Sequence, residues 1–164
     1  MIALGVDTGA STGLTVIDCR AMSCLYRLTA TPAEVPLALR EILARWPIGV
    51  VGIETPSEVF THGRGKESMG ARIGIERALL AARDVAGVVR GTVIALSPST
   101  PIHDGQAHEC RKIVGRMKRG KQDAFVKTFV HGAIPDWARG KGDNDHNRDA
   151  AVAALWAARK ERLK

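Results

Sequence analysis

Aromatic residues are scarce in this 164-residue sequence, which has one Tyr, three Phe and three Trp. So few rings argue against a surface that binds single-stranded nucleic acid by stacking bases on aromatic side chains. The three cysteines, Cys19, Cys24 and Cys110, form no CxxC pair and have no spacing suited to zinc. Cysteines this sparse are typical of a reducing compartment, and we interpret all three as small buried hydrophobic residues.

Long apolar runs are absent too. No run reaches the ~18 residues of a membrane-spanning helix, so we expect no membrane partner. The sequence begins with the strand-like MIALGVD and shows neither a basic leader nor a cleavage site, so we expect no signal peptide. The length is ordinary for one domain, and there are no internal repeats or low-complexity linkers. We therefore expect residues 1–164 to form a single domain in the cytoplasm.

Positive charge, by contrast, is in excess. Lys and Arg total 24 against 17 Asp and Glu, which gives a net charge of +7. A basic surface attracts polyanions over a long range, and this favours a nucleic-acid partner. Solubility alone is the alternative, because a small domain can carry a net charge of ~2–8 without such a partner.

The pattern of apolar residues predicts the element order β-β-β-α-β-α-β-α-α. The first three strands, at residues 2–7, 14–18 and 23–28, are expected to form an antiparallel meander. The later elements are a helix at 32–46, a strand at 49–54, a helix at 67–86, a strand at 92–96, a helix at 122–131 and a last helix from 145 onward. This order is typical of an α/β fold in which a mixed sheet carries helices on its faces.

Three acidic residues stand at the ends of predicted elements. Asp7 ends the first strand, Glu54 closes the apolar run of the fourth, and Asp149 lies near the start of the last helix. Each alone has an ordinary explanation as a turn residue, a solvent-reaching charge or a helix-start acid. If the first and fourth strands are neighbours, however, the carboxylates converge. Because like charges at close range resist joint ionisation, such a cluster needs a cation.

The cation expected at such a cluster is Mg²⁺ or Mn²⁺, since oxygen ligands select hard metal ions. Two such ions ~3.5–4 Å apart can activate a water and stabilise the leaving oxygen of a phosphodiester. His146 lies three residues before Asp149 on the same helix face. It would be a ligand or proton-transfer group, and without the acids nearby it would be an ordinary helix-start histidine. Asp145 and Asp143 are interpreted as an N-cap and a solvated-loop acid.

These residues resemble the motifs of the RuvC-type Holliday-junction resolvases. The family pattern G-[IV]-D-x-G stands here as GVDTG from Gly5, with Thr12-Gly13 following. The [IV]-E strand end stands as Ile53-Glu54, and H-x-x-D-A stands as HNRDA from His146. A middle segment, KIVG to KQ at residues 112–122, is similar to the family's basic stretch. The motifs occur in order over nearly the whole chain.

The resemblance implies an RNase H-like fold, with three antiparallel strands followed by parallel strands in a five-stranded sheet flanked by helices. It also implies a nucleoid-associated homodimer that nicks a four-way DNA junction, with two Mg²⁺ per active site. By motif match, the catalytic and metal-binding set would be Asp7, Glu54, His146 and Asp149, with Lys121 near the scissile phosphate. Thr8 replaces the family's usual Pro, and Phe60 is the candidate for its junction-wedging aromatic.

Two basic segments are candidates for DNA contact, because Lys and Arg neutralise phosphates and release counterions. One is the loop after Glu54 and the other spans residues 111–121, and for both a solvated surface is the alternative. The DNA-binding candidates are Arg64, Lys66, Arg111, Lys112, Arg116, Lys118 and Arg119. The helix at 67–86 is the expected dimer interface, with Met69, Ile73 and Leu80 facing the partner.

Three other functions share parts of this pattern. A phosphotransferase of the actin-like ATPase class shares the D-x-G-x-x-x-T-G opening, but it needs two such domains and a longer chain. A non-catalytic junction- or RNA-binding module would not need all three acids. A related nuclease that acts on other branched DNA or on RNA fits the residues as well as a resolvase does.

Overall fold

The computed structural model describes residues 1–56, 69–115, 122–137 and 143–163. Its strands are β1 (Ile2–Asp7), β2 (Thr12–Asp18), β3 (Ser23–Ala30), β4 (Ile48–Thr55) and β5 (Ile102–Gln106). Its helices are α1 (Val35–Arg45), α2 (Met69–Leu96), α3 (Ala107–Cys110), α4 (Gln122–Ala133) and α5 (Asp145–Arg162), and a 3-10 turn at Arg111–Val114 follows α3.

The five strands form one mixed sheet in the order β3-β2-β1-β4-β5. β1, β2 and β3 pair antiparallel, as the meander prediction requires, because short turns connect them. β4 pairs parallel with β1, and β5 pairs parallel with β4. The expected α/β fold, with antiparallel strands followed by parallel strands, is therefore confirmed.

Alternate residues of the central strands supply two separate cores, one on each face of the sheet. Val6 and Ile53 are fully buried in the core that α1 and α2 cover. Ala3 and Val50 point to the opposite face, where they pack with α4 and α5. This alternation follows from the two-residue period of a strand.

Glycines inside the central strands let α5 lie directly on the sheet. A Cβ atom added to Gly5 would clash with the carbonyl oxygen of Ala150, and one added to Gly52 would clash with that of Ala153. Because α5 presents mainly alanines here, its backbone comes unusually close to the strands. The start of α5 is thereby carried to the edge of the sheet where β1 and β4 end.

The strand predicted at residues 92–96 is wrong, because these residues form the last turns of α2. Val85, Val89 and Val93 recur every four residues and are buried beneath α1. This stripe continues one helix through a segment whose β-branched residues favour a strand locally. The fifth strand is instead β5. Its sequence, IHDGQ, is polar because β5 is at the edge of the sheet and, among the described strands, pairs only with β4.

Two smaller interpretations also change. The N-cap of α5 is Asn144, whose side chain accepts from the backbone N–H of Asn147, and Asp145 lies in the first helical turn instead. Cys19 and Cys110 are buried as expected, whereas Cys24 is only half-buried, on the outer strand β3. Within the described ranges, no helix is both long enough and apolar enough to cross a membrane.

Candidate active site

Asp7, the last residue of β1, lies directly opposite Glu54, the second-to-last residue of the adjacent parallel strand β4. The register of β1 and β4 pairs Asp7 with Glu54, one step beyond the buried pair Val6 and Ile53. The Glu54 side chain is 7% exposed and that of Asp7 is 16% exposed. The pairing of β1 with β4 therefore brings these two carboxylates together, as predicted.

Thr8 fixes the relative position of these two strand ends. Its hydroxyl donates a hydrogen bond of 2.9 Å to the backbone carbonyl of Glu54, and its N–H approaches the same oxygen at 3.3 Å. Both groups are buried, so the bonds are protected from water. Thr8 was noted in the sequence only as a departure from the family pattern, and its structural role was missed.

The first turns of α5 bring His146 and Asp149 to the same edge. His146 Nδ1 lies 2.9 Å from Asp7 Oδ2, and the Asp149 side chain is 14% exposed. Asn147, between them, is fully buried, and its carbonyl accepts from the hydroxyl of Thr15 on β2. This bond and the close packing on the glycines hold the start of α5 in place.

Arg111 was predicted to contact DNA from a basic surface, and its placement differs most from that expectation. It begins the 3-10 turn after α3 and is 20% exposed. Its Nη2 donates to Asp149 Oδ2 at 2.7 Å and lies 4.0 Å from Glu54 Oε1. Arg111 thus lies against the acid cluster, which we define as Asp7, Glu54 and Asp149.

Burial raises the pKa of all three acids in the cluster, and the charges of neighbouring acids raise the pKa of Glu54 and Asp149 further. Burial, followed by the charges of Asp149 and Asp7, raises the pKa of Glu54 to about 9. Burial also raises the pKa of Asp149 to about 6, although Arg111 opposes the shift, and it raises the pKa of Asp7. The hydrogen bond to Asp7 raises the pKa of His146. With all three acids ionised, the cluster would therefore carry more negative charge than its surroundings stabilise.

The donor set suits a hard divalent cation. It offers three carboxylates and an imidazole, and Glu54 Oε2 is buried with no hydrogen-bond partner among the described residues. In the part of the chain that the structure describes, no three such side chains are gathered around one point. Instead, Asp149 is paired with Arg111 and Asp7 with His146, so a metal would have to replace those pairings.

Most of the predicted DNA-binding residues lie outside the described ranges. They are Arg64, Lys66, Arg116, Lys118 and Arg119, together with Lys121 and the aromatic candidate Phe60. Lys112 is described and is exposed beside Arg111 on the 3-10 turn. Asp143 is not simply a loop acid, since it accepts from the Trp137 indole and from Arg148.

A cleft at the end of β4 was missed by the sequence analysis. It has a volume of about 320 Å³ and is lined by Thr55 and Pro56 at the end of β4 and by Arg83 and Arg90 on α2. Arg90 pairs with Asp104 at 2.8 Å across an exposed surface. The two arginines are seven residues apart and so share one helix face, a spacing that could have signalled the cleft.

Two solved structures of RuvC from Thermus thermophilus are similar in fold to this chain. The structure of RuvC in complex with a Holliday junction substrate is 15% identical, has a TM-score of 0.71, and is matched over 99% of this chain and 96% of that chain. A second RuvC structure is 14% identical, with a TM-score of 0.64 and the same coverage. No protein-family model and no curated protein matches the sequence. The likeness confirms the RNase H-like fold and, at the level of fold, the resemblance drawn from the motifs.

Proposed function

We propose that this protein is a metal-dependent endonuclease that cuts four-way DNA junctions. The observation that carries the proposal is the acid cluster itself. Asp7 and Glu54 lie opposite each other at the ends of the parallel strands β1 and β4, within one residue of the last, and α5 adds Asp149 and His146 at the same edge. Buried acids with raised pKa values at one edge of a sheet are typical of a site that works with a cation.

Asp7, Glu54, Asp149 and His146 would hold Mg²⁺, or Mn²⁺ in its place, with two ions per site. Bound Mg²⁺ would supply Lewis-acid chemistry, by which a water attacks a phosphodiester and the leaving oxygen is stabilised. Thr8 keeps the Asp7 and Glu54 carboxylates opposite each other through its bond to the Glu54 carbonyl. Asp7 orients the His146 ring, which is 46% exposed and can take up or release a proton at the mouth of the site.

Several features favour DNA over a small phosphoester. The net charge is +7, exposed Lys112 follows Arg111 in the chain, and Arg83 and Arg90 line the cleft at the end of β4, the strand that carries Glu54. Cations so placed can bind the phosphates that precede and follow the one being cut. The Thermus thermophilus RuvC of the same fold was solved with a Holliday junction substrate, and this supports the choice of a four-way junction.

A homodimer completes the proposal, because resolving a two-fold symmetric junction takes two nicks and one acid cluster makes one. The outer face of α2 offers an interface. Ile73 and Leu80 are 44% and 58% exposed, and Val88 and Ile94 extend the apolar surface along the same helix. A two-fold axis would place this face against itself. The side chain of Met69, the third predicted interface residue, lies outside the described part.

The substrate is tested by comparing labelled substrates with Mg²⁺ under identical conditions. A four-way junction, a flap, a linear duplex and an RNA–DNA hybrid are each incubated with the full chain. We expect the junction to be cut fastest, with one nick on each of two opposite strands. Equal or faster cleavage of the hybrid would replace the resolvase proposal with that of a ribonuclease, and no cleavage of any substrate would favour a binding module.

A further inference from the structure

Arg111, a cation of the chain itself, lies against the acid cluster. Arg111 Nη2 lies 2.7 Å from Asp149 Oδ2 and 4.0 Å from Glu54 Oε1, so one guanidinium nitrogen faces two of the three acids. The Arg111 side chain is 20% exposed, and its Nε is buried without a hydrogen-bond partner among the described residues. Because the Nε–H has no partner there, hydrogen bonding alone does not explain the burial of Arg111. Attraction between its positive charge and the two carboxylates does.

The local structure aims Arg111 inward. Gln106 and Glu109 cap the single turn of α3 reciprocally, each accepting from the other's backbone N–H. Cys110, the next residue, is fully buried in the core beneath α5. With the turn fixed at both points, the side chain of Arg111 extends toward the start of α5, whereas that of Lys112 remains in solvent.

We propose that Arg111 is a resident counter-cation of the acid cluster, which a divalent metal ion must displace from Asp149 in order to bind. The inference rests on the proposed function, since it assumes that the cluster is a metal site. It accounts for two observations together. Asp149 is paired with Arg111, and among the described residues the three carboxylates are not gathered around one point.

The pKa values are consistent with this arrangement. Arg111 is the main influence that lowers the pKa of Asp149, and Asp149 in turn helps to raise the pKa of Arg111 despite its burial. Arg111 is farther from Glu54, at 4.0 Å, and lowers its pKa too little to offset burial, so the pKa of Glu54 reaches about 9. Arg111 therefore neutralises one carboxylate well and leaves the other in need of a cation.

The competition predicts that loss of the Arg111 charge tightens metal binding. A unit positive charge about 5 Å from a divalent ion weakens its binding by about tenfold, even at the dielectric constant of water. Binding of Mn²⁺ to the full chain without DNA is measured by the electron paramagnetic resonance signal of the free ion. We expect Arg111→Gln to bind Mn²⁺ at least about tenfold more tightly than wild type, to have a lower Tm in EDTA, and to gain more in Tm from Mn²⁺.

Two variants serve as controls. Arg40→Gln removes the same charge from an exposed position on α1 and should leave Mn²⁺ affinity unchanged. Arg111→Lys keeps the charge and should bind Mn²⁺ much as wild type does. If Arg111→Gln fails to fold, the wild-type Arg111 Nε–H resonance, identified by its loss in Arg111→Lys, is followed during a Mg²⁺ titration. It should shift saturably and exchange faster with water.

The outcomes separate this inference from the proposed function. If wild type binds Mn²⁺ and Arg111→Gln binds it equally or more weakly, the counter-cation role is overturned while the metal site stands. A resonance of Arg111 that does not respond to saturating Mg²⁺ would overturn it as well. If neither wild type nor Arg111→Gln binds Mn²⁺, the metal-dependent nuclease falls and the inference falls with it. Tighter Mn²⁺ binding by Arg111→Gln than by wild type, with no such change in the two control variants, supports both the metal site and the counter-cation role.

Discussion

Replacing Glu54 by Gln should stabilise the metal-free protein at neutral and alkaline pH, although it removes a residue of the proposed site. Glu54 is almost completely buried, one of its oxygens has no partner among the described residues, and its pKa is raised from 4.5 to about 9. The folded protein therefore keeps a proton on Glu54 that the unfolded chain releases. Since the folded state binds more protons between these two pKa values, stability falls as pH rises through that window.

The size of the effect follows from the shift. Each pKa unit corresponds to about 1.4 kcal/mol, so holding the proton at pH 8 costs the folded state up to about 5 kcal/mol. Gln has nearly the same shape and never ionises, so it escapes this cost. We expect Glu54→Gln to raise the free energy of unfolding by about 2–5 kcal/mol at pH 8 and to change it little at pH 4.

The assay is urea unfolding in EDTA at several pH values between 4 and 8, with wild type, Glu54→Gln and Asp84→Asn. Asp84 is exposed on α2, and its replacement removes one negative charge without touching the cluster. The difference between Glu54→Gln and wild type should grow with pH, and Mg²⁺ should reduce it by stabilising the ionised form of wild type alone. A Glu54→Gln protein that is less stable than wild type at pH 8, or a difference independent of pH, would refute the reasoning.

Three further predictions concern the reaction and the assembly. His146→Ala should lower the cleavage rate by ~10²–10⁴ because one ligand or proton transfer is lost, and a wild-type rate in single-turnover assays would return His146 to a structural role. Mg²⁺ and Mn²⁺ should support cleavage whereas Ca²⁺ should not, since Ca²⁺ prefers more ligands at longer distances; robust cleavage in EDTA would end the metal proposal. Sedimentation should show a dimer. Heterodimers of wild type with Asp149→Asn should nick one strand of each junction, and two nicks per heterodimer would contradict the proposal that each subunit cuts one strand.

The sequence predicted the sheet edge that carries the acid cluster because the determinants are local. Apolar runs mark β1 and β4 as buried strands, and each run ends on an acid. When the two strands pair in parallel in the observed register, Asp7, the last residue of β1, lies opposite Glu54, the second-to-last residue of β4. The spacing of His146 and Asp149 on α5 is likewise a property of any helix.

Other features depend on contacts that no local pattern encodes. The segment at residues 92–96 is helical because Val89 and Val93 pack beneath α1, which outweighs its local strand preference. β5 carries little apolar signal because it is a polar edge strand. The inward placement of Arg111 depends on the capped turn of α3 and on the buried Cys110 at its end. The run of cations in the sequence therefore indicated only a basic surface.

The most direct measurement is cleavage of a labelled four-way junction by wild type, Asp149→Asn and the control Asp84→Asn, with DNA binding measured in parallel. The account predicts that wild type and Asp84→Asn make paired nicks with Mg²⁺. Asp149→Asn should bind the junction at least as tightly, because a negative charge near phosphate is gone, but should not cut it. Cleavage by Asp149→Asn at more than a small fraction of the wild-type rate, or an intact junction after incubation with wild type, would contradict the account.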